Sequence, residues 1–352
     1  MPTSDPPAPA QATAAALLFS VVVPSLGSER NLAAFLDGIE RQTLARERYE
    51  VIVVFDGAPI PPSLTPRLAR LGVQVVTFEG RRGPPAARNA GARRARGEWL
   101  VSADDDVVPS PEWLERAAAR IAAEPALDVI EGVTLKPGAR PVRMHGDASP
   151  QYILCNLFVR RALFEGVGGF HEGYYDAASR VFFREDADLG YTLEGAGAKV
   201  GREPGATVTH PVEHPRYLDP LRWAKRYEMD ALLAARYPEL FRERIEIHQI
   251  GPFRIRRPIV RASFAYIAAL VAAAAVAAFG HGGLALTFVG LALIAFLPIW
   301  AKWRFDLVRL PVYLLVPFAL VAALVRGAGR VRRMDANAIG APTAGSANSA
   351  NS

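Results

Sequence analysis

Three consecutive carboxylates, Asp104-Asp105-Asp106, close a short apolar run from Trp99 to Ala103 and lead into Val107-Val108-Pro109. A strand ending in clustered aspartates presents hard oxygen ligands at the carboxyl edge of a sheet, where Mg²⁺ or Mn²⁺ can be held against a diphosphate. The same triplet also suits a plain acidic turn before the helix that opens near Pro111, because Asp favours such starts. Asp56 closes a second apolar run, Val51 to Phe55, and is followed by Gly57. Further along, Glu185 and Asp186 follow Arg184. A carboxylate there can accept a proton from a hydroxyl, a role worth about 10²–10⁴ in rate. The bland alternative is an exposed helix start whose acidic side chains suit the helix dipole. No Ser-His-Asp or Cys-His arrangement supplies a nucleophile, and no Gly-Lys-Ser/Thr loop or dinucleotide fingerprint is present.

These carboxylates need a scaffold, and the segments around them provide one. Leu17 to Pro24 is a continuous apolar run stopped by Pro, as in a buried parallel strand. Leu32, Phe35, Leu36 and Ile39 then recur at helical spacing. A strand over 51–55, a helix over 64–71, a strand over 73–78, a helix over 84–96 and a strand over 98–103 follow. This alternation predicts an α/β domain with a doubly wound, mostly parallel sheet. Ligands in such sheets bind beyond the carboxyl ends of the strands, which is where Asp56 and Asp104 to Asp106 fall.

Composition divides the 352 residues. Residues 1–16 and 334–352 are poor in large apolar side chains and read as disordered tails, the first lacking the pattern of a secretory signal. Residues 17–250 are globular in composition, and 251–333 form an apolar region. Within it, 262–279 and 284–300 are uncharged and near the length of a spanning helix, separated by Gly280-His281-Gly282-Gly283. Arg254, Arg256, Arg257 and Arg261 precede this hairpin, and Lys302, Arg304 and Arg309 follow it. By the positive-inside rule both flanks, and the domain before them, are cytoplasmic. A third apolar run, 310–325, contains Pro311 and Pro317 and ends in arginines. It is expected to be re-entrant or interfacial, with a third span as the alternative. The segment 216–237 is basic and aromatic, and reads either as a helix on the inner leaflet or as an ordinary surface helix. The single Cys155 excludes an internal disulfide, and the net charge of +6 lacks the aromatic-interleaved basic stripe of a nucleic-acid binder.

Four segments, in order, resemble the family 2 glycosyltransferases of the GT-A fold. They are residues 20–32 (SVVVPSLGSERNL), 49–58 (YEVIVVFDGA), 83–109 (GPPAARNAGARRARGEWLVSADDDVVP) and 166–210, which contains REDADLGYTLEGAGAKV. The resemblance implies an inverting enzyme that uses a UDP-, GDP- or dTDP-sugar, with a Rossmann-like nucleotide half and an acceptor half followed by a transmembrane hairpin. Asp104 and Asp106 would form the DXD pair holding Mg²⁺ or Mn²⁺, with His210 completing the metal shell. Asp56 would contact the base, and Pro24, Ser25, Arg88, Asp104 and Asp105 would line the nucleotide-sugar site. Asp186 would be the general base, with Glu185 and Trp223 on the acceptor side. The family's usual Tyr-Asn after the first strand is Leu26-Gly27 here, and the first Asp of its Asp-Asp pair is Phe55. Only Arg222-Trp223 remains of the Gln-x-x-Arg-Trp of processive relatives, so single-sugar transfer is expected. The implied acceptor is a glycan or lipid-linked hydroxyl at the inner (plasma) membrane. A polyprenyl phosphate acceptor and a catalytically silent membrane scaffold are the alternatives.

Overall fold

The computed structural model describes residues 16–136, 152–211, 216–250, 253–335 and 339–340. The two terminal tails of the sequence fall almost wholly outside these residues. The nucleotide half runs β1 (Phe19–Ser25), α1 (Glu29–Glu40), β2 (Tyr49–Phe55), α2 (Thr65–Arg70), β3 (Gln74–Thr77), α3 (Pro84–Ala92) and β4 (Trp99–Ala103). After it come β5 (Val108–Pro109), α4 (Trp113–Ala123), β6 (Val129–Leu135), β7 (Asn156–Arg160) and α5 (Arg161–Gly166). A small hairpin, β8 (Tyr175–Asp176) and β9 (Val181–Phe182), precedes α6 (Glu185–Gly195) and β10 (Val200–Thr209). The domain closes with α7 (Asp219–Lys225), α8 (Asp230–Arg236), the short turn α9 (Pro238–Leu240) and the ribbon β11 (Ile247–Ile250) and β12 (Phe253–Arg256).

Eight strands form one sheet in the order β3-β2-β1-β4-β7-β6-β10-β5. β1, β2, β3 and β4 are mutually parallel, and so are β6 and β10, while β7 runs antiparallel between β4 and β6. Side chains alternate across a strand, so β1 feeds two cores. Val21 and Val23 pack with Phe35 and Leu36 of α1 and with Trp113 and Leu114 of α4. Val22 packs on the other face with Ala87 of α3, Phe164 of α5 and Leu189 of α6. The sheet is therefore sandwiched between helices on both faces, and six of its strands aim their carboxyl ends at one edge.

Three long helices complete the chain: α10 (Pro258–Ala278), α11 (Gly282–Lys302) and α12 (Leu310–Val331). Each is long and apolar enough to cross a membrane. The first apolar run extends by four residues toward its charged flank and the second by two at each end, and the third is one continuous helix six residues longer than its uncharged stretch. The basic segment near 220–237 is not a single helix. It breaks at a 3₁₀ turn between α7 and α8, and Ala224 packs with Tyr313, Val316 and Leu320 of α12 rather than facing outward.

Candidate active site

The carboxyl edge of the sheet carries the predicted cluster. Pro24, Ser25, Asp56, Arg88 and Asp104 to Asp106 line one cleft of about 360 Å³, within the range of small-ligand sites. Arg81 and Phe182, which the sequence did not single out, line it too. Leu26, in place of the family's usual Tyr, is half exposed on the cleft wall, and Phe55 is buried in the core.

Each carboxylate has a distinct partner. Asp56 is buried and accepts the backbone N–H of Arg82 at 2.6 Å and of Gly83 at 2.9 Å, so it clamps the loop entering α3. That clamp needs glycine at two places. Gly57 has φ 66°, and a Cβ there would meet the Arg81 nitrogen at 2.4 Å; Gly83 has φ 91°, and its Cβ would meet the Tyr175 ring at 2.3 Å. Asp104 accepts from Arg88 Nη2 at 2.6 Å. Asp105 accepts from the Ser25 hydroxyl at 2.5 Å. Its carboxyl is pushed up to about 6, first by burial and then by the charges of Asp106 and Asp104, against the Ser25 hydrogen bond. Asp106 lies 3.4 Å from His210 Nε2, because β10 ends beside β5.

Among the described residues no group of three or more His, Cys, Asp or Glu converges as a ready metal cage. The donors nevertheless fit a hard divalent ion: three adjacent carboxylates repelling one another, with an imidazole against the last. Arg88 occupies part of that role at Asp104. Its guanidinium is buried, and Nε and Nη1 find no acceptor among the described residues.

Arg88 also reaches toward the second acidic pair. Its charge opposes the upward shifts of both Glu185 and Asp186, and Asp104 acts on Glu185 as well. The first turn of α6 therefore lies within electrostatic range of the aspartate edge. Burial is the main cause of the raised Glu185 and Asp186 carboxyls, and their mutual repulsion adds to it for Glu185. Asp186 Oδ1 accepts the N–H of Ala187 at 2.7 Å. Arg184 precedes the helix at a left-handed φ of 76°, a conformation costing about 1–2 kcal/mol for a side chain of this kind. It is held there by Asp230 at 2.8 Å and by the Phe183 ring, 4.2 Å from the guanidinium.

Glu185 yields a stability test. Its carboxyl moves from an ordinary 4.5 to about 7, so the folded state binds this proton more tightly than the unfolded chain. The stabilisation is complete below about pH 4.5 and is lost as pH rises through 7. Glu185→Gln removes that loss and is expected to gain about 1–3 kcal/mol over the native chain at pH 8, with the gain shrinking toward pH 5. Melting midpoints of both proteins across this range check it, and parallel curves would sink it.

Asp188 and Trp223 lie elsewhere. Asp188, two residues after Asp186, turns inward to Arg236 and Tyr174. Trp223 packs against Tyr227 at 4.8 Å and Trp303 at 5.2 Å, with Lys302 Nζ 3.7 Å over its ring. It belongs to the junction with the apolar helices and is not among the residues lining the cleft.

Residues 20–188 match the family model of glycosyl transferase family 2. Those residues, just under half of the chain, carry a glycosyl transferase family 2 domain. Glycosyltransferase AglE of Haloferax volcanii is 26% identical over 205 residues, covering 53% of this chain and 66% of the relative. The pre-mycofactocin glycosyltransferase of Mycobacterium tuberculosis is 29% identical over 195 residues, covering 49% of this chain and 40% of that protein. The chain thus spans just under two thirds, or less, of these relatives. Among solved structures, the mannosyltransferase PcManGT from Pyrobaculum calidifontis, in complex with GDP-Man and Mn²⁺, superposes with TM-score 0.53 at 21% identity, covering 89% of this chain and 87% of that one. That likeness is one of fold: the family 2 domain is a GT-A sheet followed by apolar helices.

Proposed function

We propose that this chain transfers one sugar from a nucleotide-diphosphate sugar to an acceptor hydroxyl, with inversion, at the cytoplasmic face of the inner membrane. The observation that carries the reading is Arg88. It is a buried guanidinium paired to Asp104, with unspent donors, in a cleft that also holds Asp56, and close to Glu185 and Asp186. A diphosphate supplies the acceptors such a guanidinium lacks.

In this reading the Asp56 clamp and Arg81 position the nucleotide, and Arg88 neutralises part of the diphosphate charge. Asp186 takes the proton of the acceptor hydroxyl as its oxygen bonds to the anomeric carbon and the bond to the diphosphate breaks. When bound, Mg²⁺ or Mn²⁺ at Asp104, Asp106 and His210 would absorb negative charge on the leaving group. Direct displacement of this kind inverts the anomeric centre. The basic flanks of the α10–α11 hairpin, with no Lys or Arg in its turn, support the cytoplasmic orientation. A membrane-borne acceptor, either a lipid-linked glycan or an envelope glycan, suits a domain followed by such a hairpin.

A phosphate acceptor is the second reading, and one observation favours it. Arg184 and Arg226 flank the Phe183 ring at 4.2 and 6.0 Å, and Lys302 at the end of the hairpin feels the Arg184 charge. Three cations beside the α6 start suit an anionic acceptor head, such as a polyprenyl phosphate, better than a neutral one.

Calorimetry with UDP, GDP and dTDP, with and without Mn²⁺, tests the donor site. One nucleotide is expected to bind, more tightly with metal, and Asp106→Ala is expected to lose the metal-dependent part. Absence of binding by all three would overturn the reading in favour of a silent scaffold.

A further inference from the structure

We propose that α12 does not cross the membrane but lies flat in its cytoplasmic interface, wedged between the catalytic domain and lipid. The inference rests on the membrane reading of the α10–α11 hairpin and not on the transfer chemistry.

A spanning helix must leave the soluble domain behind, and α12 never does. Near its start, Tyr313 stacks on Trp303 at 5.0 Å, at the charged end of the hairpin. In its middle, Val316 and Leu320 share a core with Ala224 of α7. Toward its end, Gly327 fits so closely against the domain that a Cβ there would stand 2.2 Å from the Glu228 carbonyl. Arg326 pairs with Glu228 at 3.2 Å. Arg330 donates to the carbonyls of Gly173 at 2.8 Å and Tyr175 at 2.9 Å. At about 1.5 Å per residue, the 22-residue helix is about 33 Å long, close to the full hydrocarbon thickness. If it spanned, Glu228, its arginine partner and the irregular backbone at 173–175 would be carried toward the far leaflet. Hydrocarbon does not accommodate such groups.

The opposite face of α12 identifies what covers it. Leu315, Phe318, Ala322 and Val325 follow one another at three- and four-residue steps, and all are exposed, Leu315 and Val325 to 54% and 67%, while the Phe318 ring also meets Tyr266 of α10 at 6.0 Å, where the helix crosses the hairpin. The stripe continues into Leu307 and Val308, exposed at 69% and 77%, in the connection from the hairpin. It ends in exposed Arg332 and Arg333. An apolar stripe continuous with a membrane hairpin and closed by cations fits the surface of an anionic bilayer. The sequence left an interfacial seat and a third span as alternatives because α12 is apolar on both sides: one side packs on the domain and on α10 and α11, and the other is left for lipid.

The seat is connected to the donor cleft. Arg330 holds the backbone of Tyr175, whose ring packs on Gly83, and the Gly83 amide donates to Asp56. Phe182, the partner of Tyr175 across β8–β9, lines the cleft. α12 thereby sets the height and tilt of the cleft over the membrane.

Site-directed spin labelling tests the proposal. In the full chain carrying Cys155→Ala, single cysteines replace Leu315, Phe318, Ala322 and Val325, with Val271 in α10 as the deep reference. The labelled proteins go into vesicles of phosphatidylethanolamine and phosphatidylglycerol, and accessibility to oxygen and to a water-soluble nickel chelate is measured. The four α12 sites are expected to report one common shallow depth, well above Val271. A depth that rises to a midpoint and falls again along α12 would establish a third span and overturn the proposal. So would full chelate access at all four sites. Circular dichroism and melting of each labelled protein verify folding without reference to nucleotide binding, so failure here is distinct from failure of the donor reading.

Discussion

Asp186→Asn is expected to lower kcat by about 10²–10⁴ while leaving donor affinity nearly unchanged. The substitution keeps the shape of the side chain and an oxygen that can still accept the Ala187 N–H, so the first turn of α6 stays in place. What disappears is the carboxylate that receives the proton. Burial holds that carboxyl above its ordinary range, which brings it nearer to operating pH and makes it a stronger base than an exposed Asp. The neighbouring Glu185 is no substitute, since it is more deeply buried and projects from the next position around the helix. The assay is release of nucleoside diphosphate at saturating acceptor, with donor binding followed separately. If the variant retains full turnover, Asp186 is not the base. Retained turnover confined to phosphate acceptors, which need no strong base, would select the second reading and assign Arg184, Arg226 and Lys302 to the acceptor head.

The largest expected loss of stability comes from two residues further along α6. Asp188 and Arg236 form a 2.6 Å ion pair with side chains only 2% and 4% exposed, and the Tyr174 hydroxyl donates to the same carboxylate at 2.9 Å. Removing one partner leaves the other charged, desolvated and unmatched, so Asp188→Ala or Arg236→Met is expected to cost about 3–5 kcal/mol. Burial raises the Asp188 carboxyl even though Arg236 opposes it, the mark of a pair that holds its charge only by mutual contact. The double variant Asp188→Leu/Arg236→Met should recover a good part of the loss, because it removes both charges together. Thermal melts in detergent measure both effects. A single-variant loss below about 1 kcal/mol would contradict the desolvation argument. Activity is expected to fall with stability, since this pair anchors the helix whose first turn carries Asp186.

Much of this protein was legible in its residues. Apolar runs that stop at Asp56 and Asp104 marked the strands, and chain direction alone puts those carboxylates on one edge once the strands pair in parallel. Uncharged length marked α10 and α11, because a spanning helix is a local property of some twenty residues. Helix geometry alone sets Asp188 on a different face from Asp186, since residues two apart on a helix do not face the same way, while its inward contacts to Arg236 and Tyr174 came only from the tertiary structure. Partnerships between distant residues were not legible. Arg88 meets Asp104 across 16 positions and Ser25 meets Asp105 across 80; His210 was set beside Asp106 by the resemblance alone, and it is the end of β10 beside β5 that brings the two together. Phe182 and Arg81 entered the cleft through a two-stranded ribbon and a glycine-clamped loop whose placement depends on β1, β2 and α3. The seat of α12 is partly such a fact: its prolines and trailing arginines suggested a re-entrant or interfacial helix, with a span as the alternative, but not which face meets the domain. Hydropathy measures how badly a helix wants to leave water, and that number is the same whether protein or lipid receives it. Only the packing of Gly327 on Glu228 and of Arg330 on the Gly173 and Tyr175 carbonyls decides which face meets which.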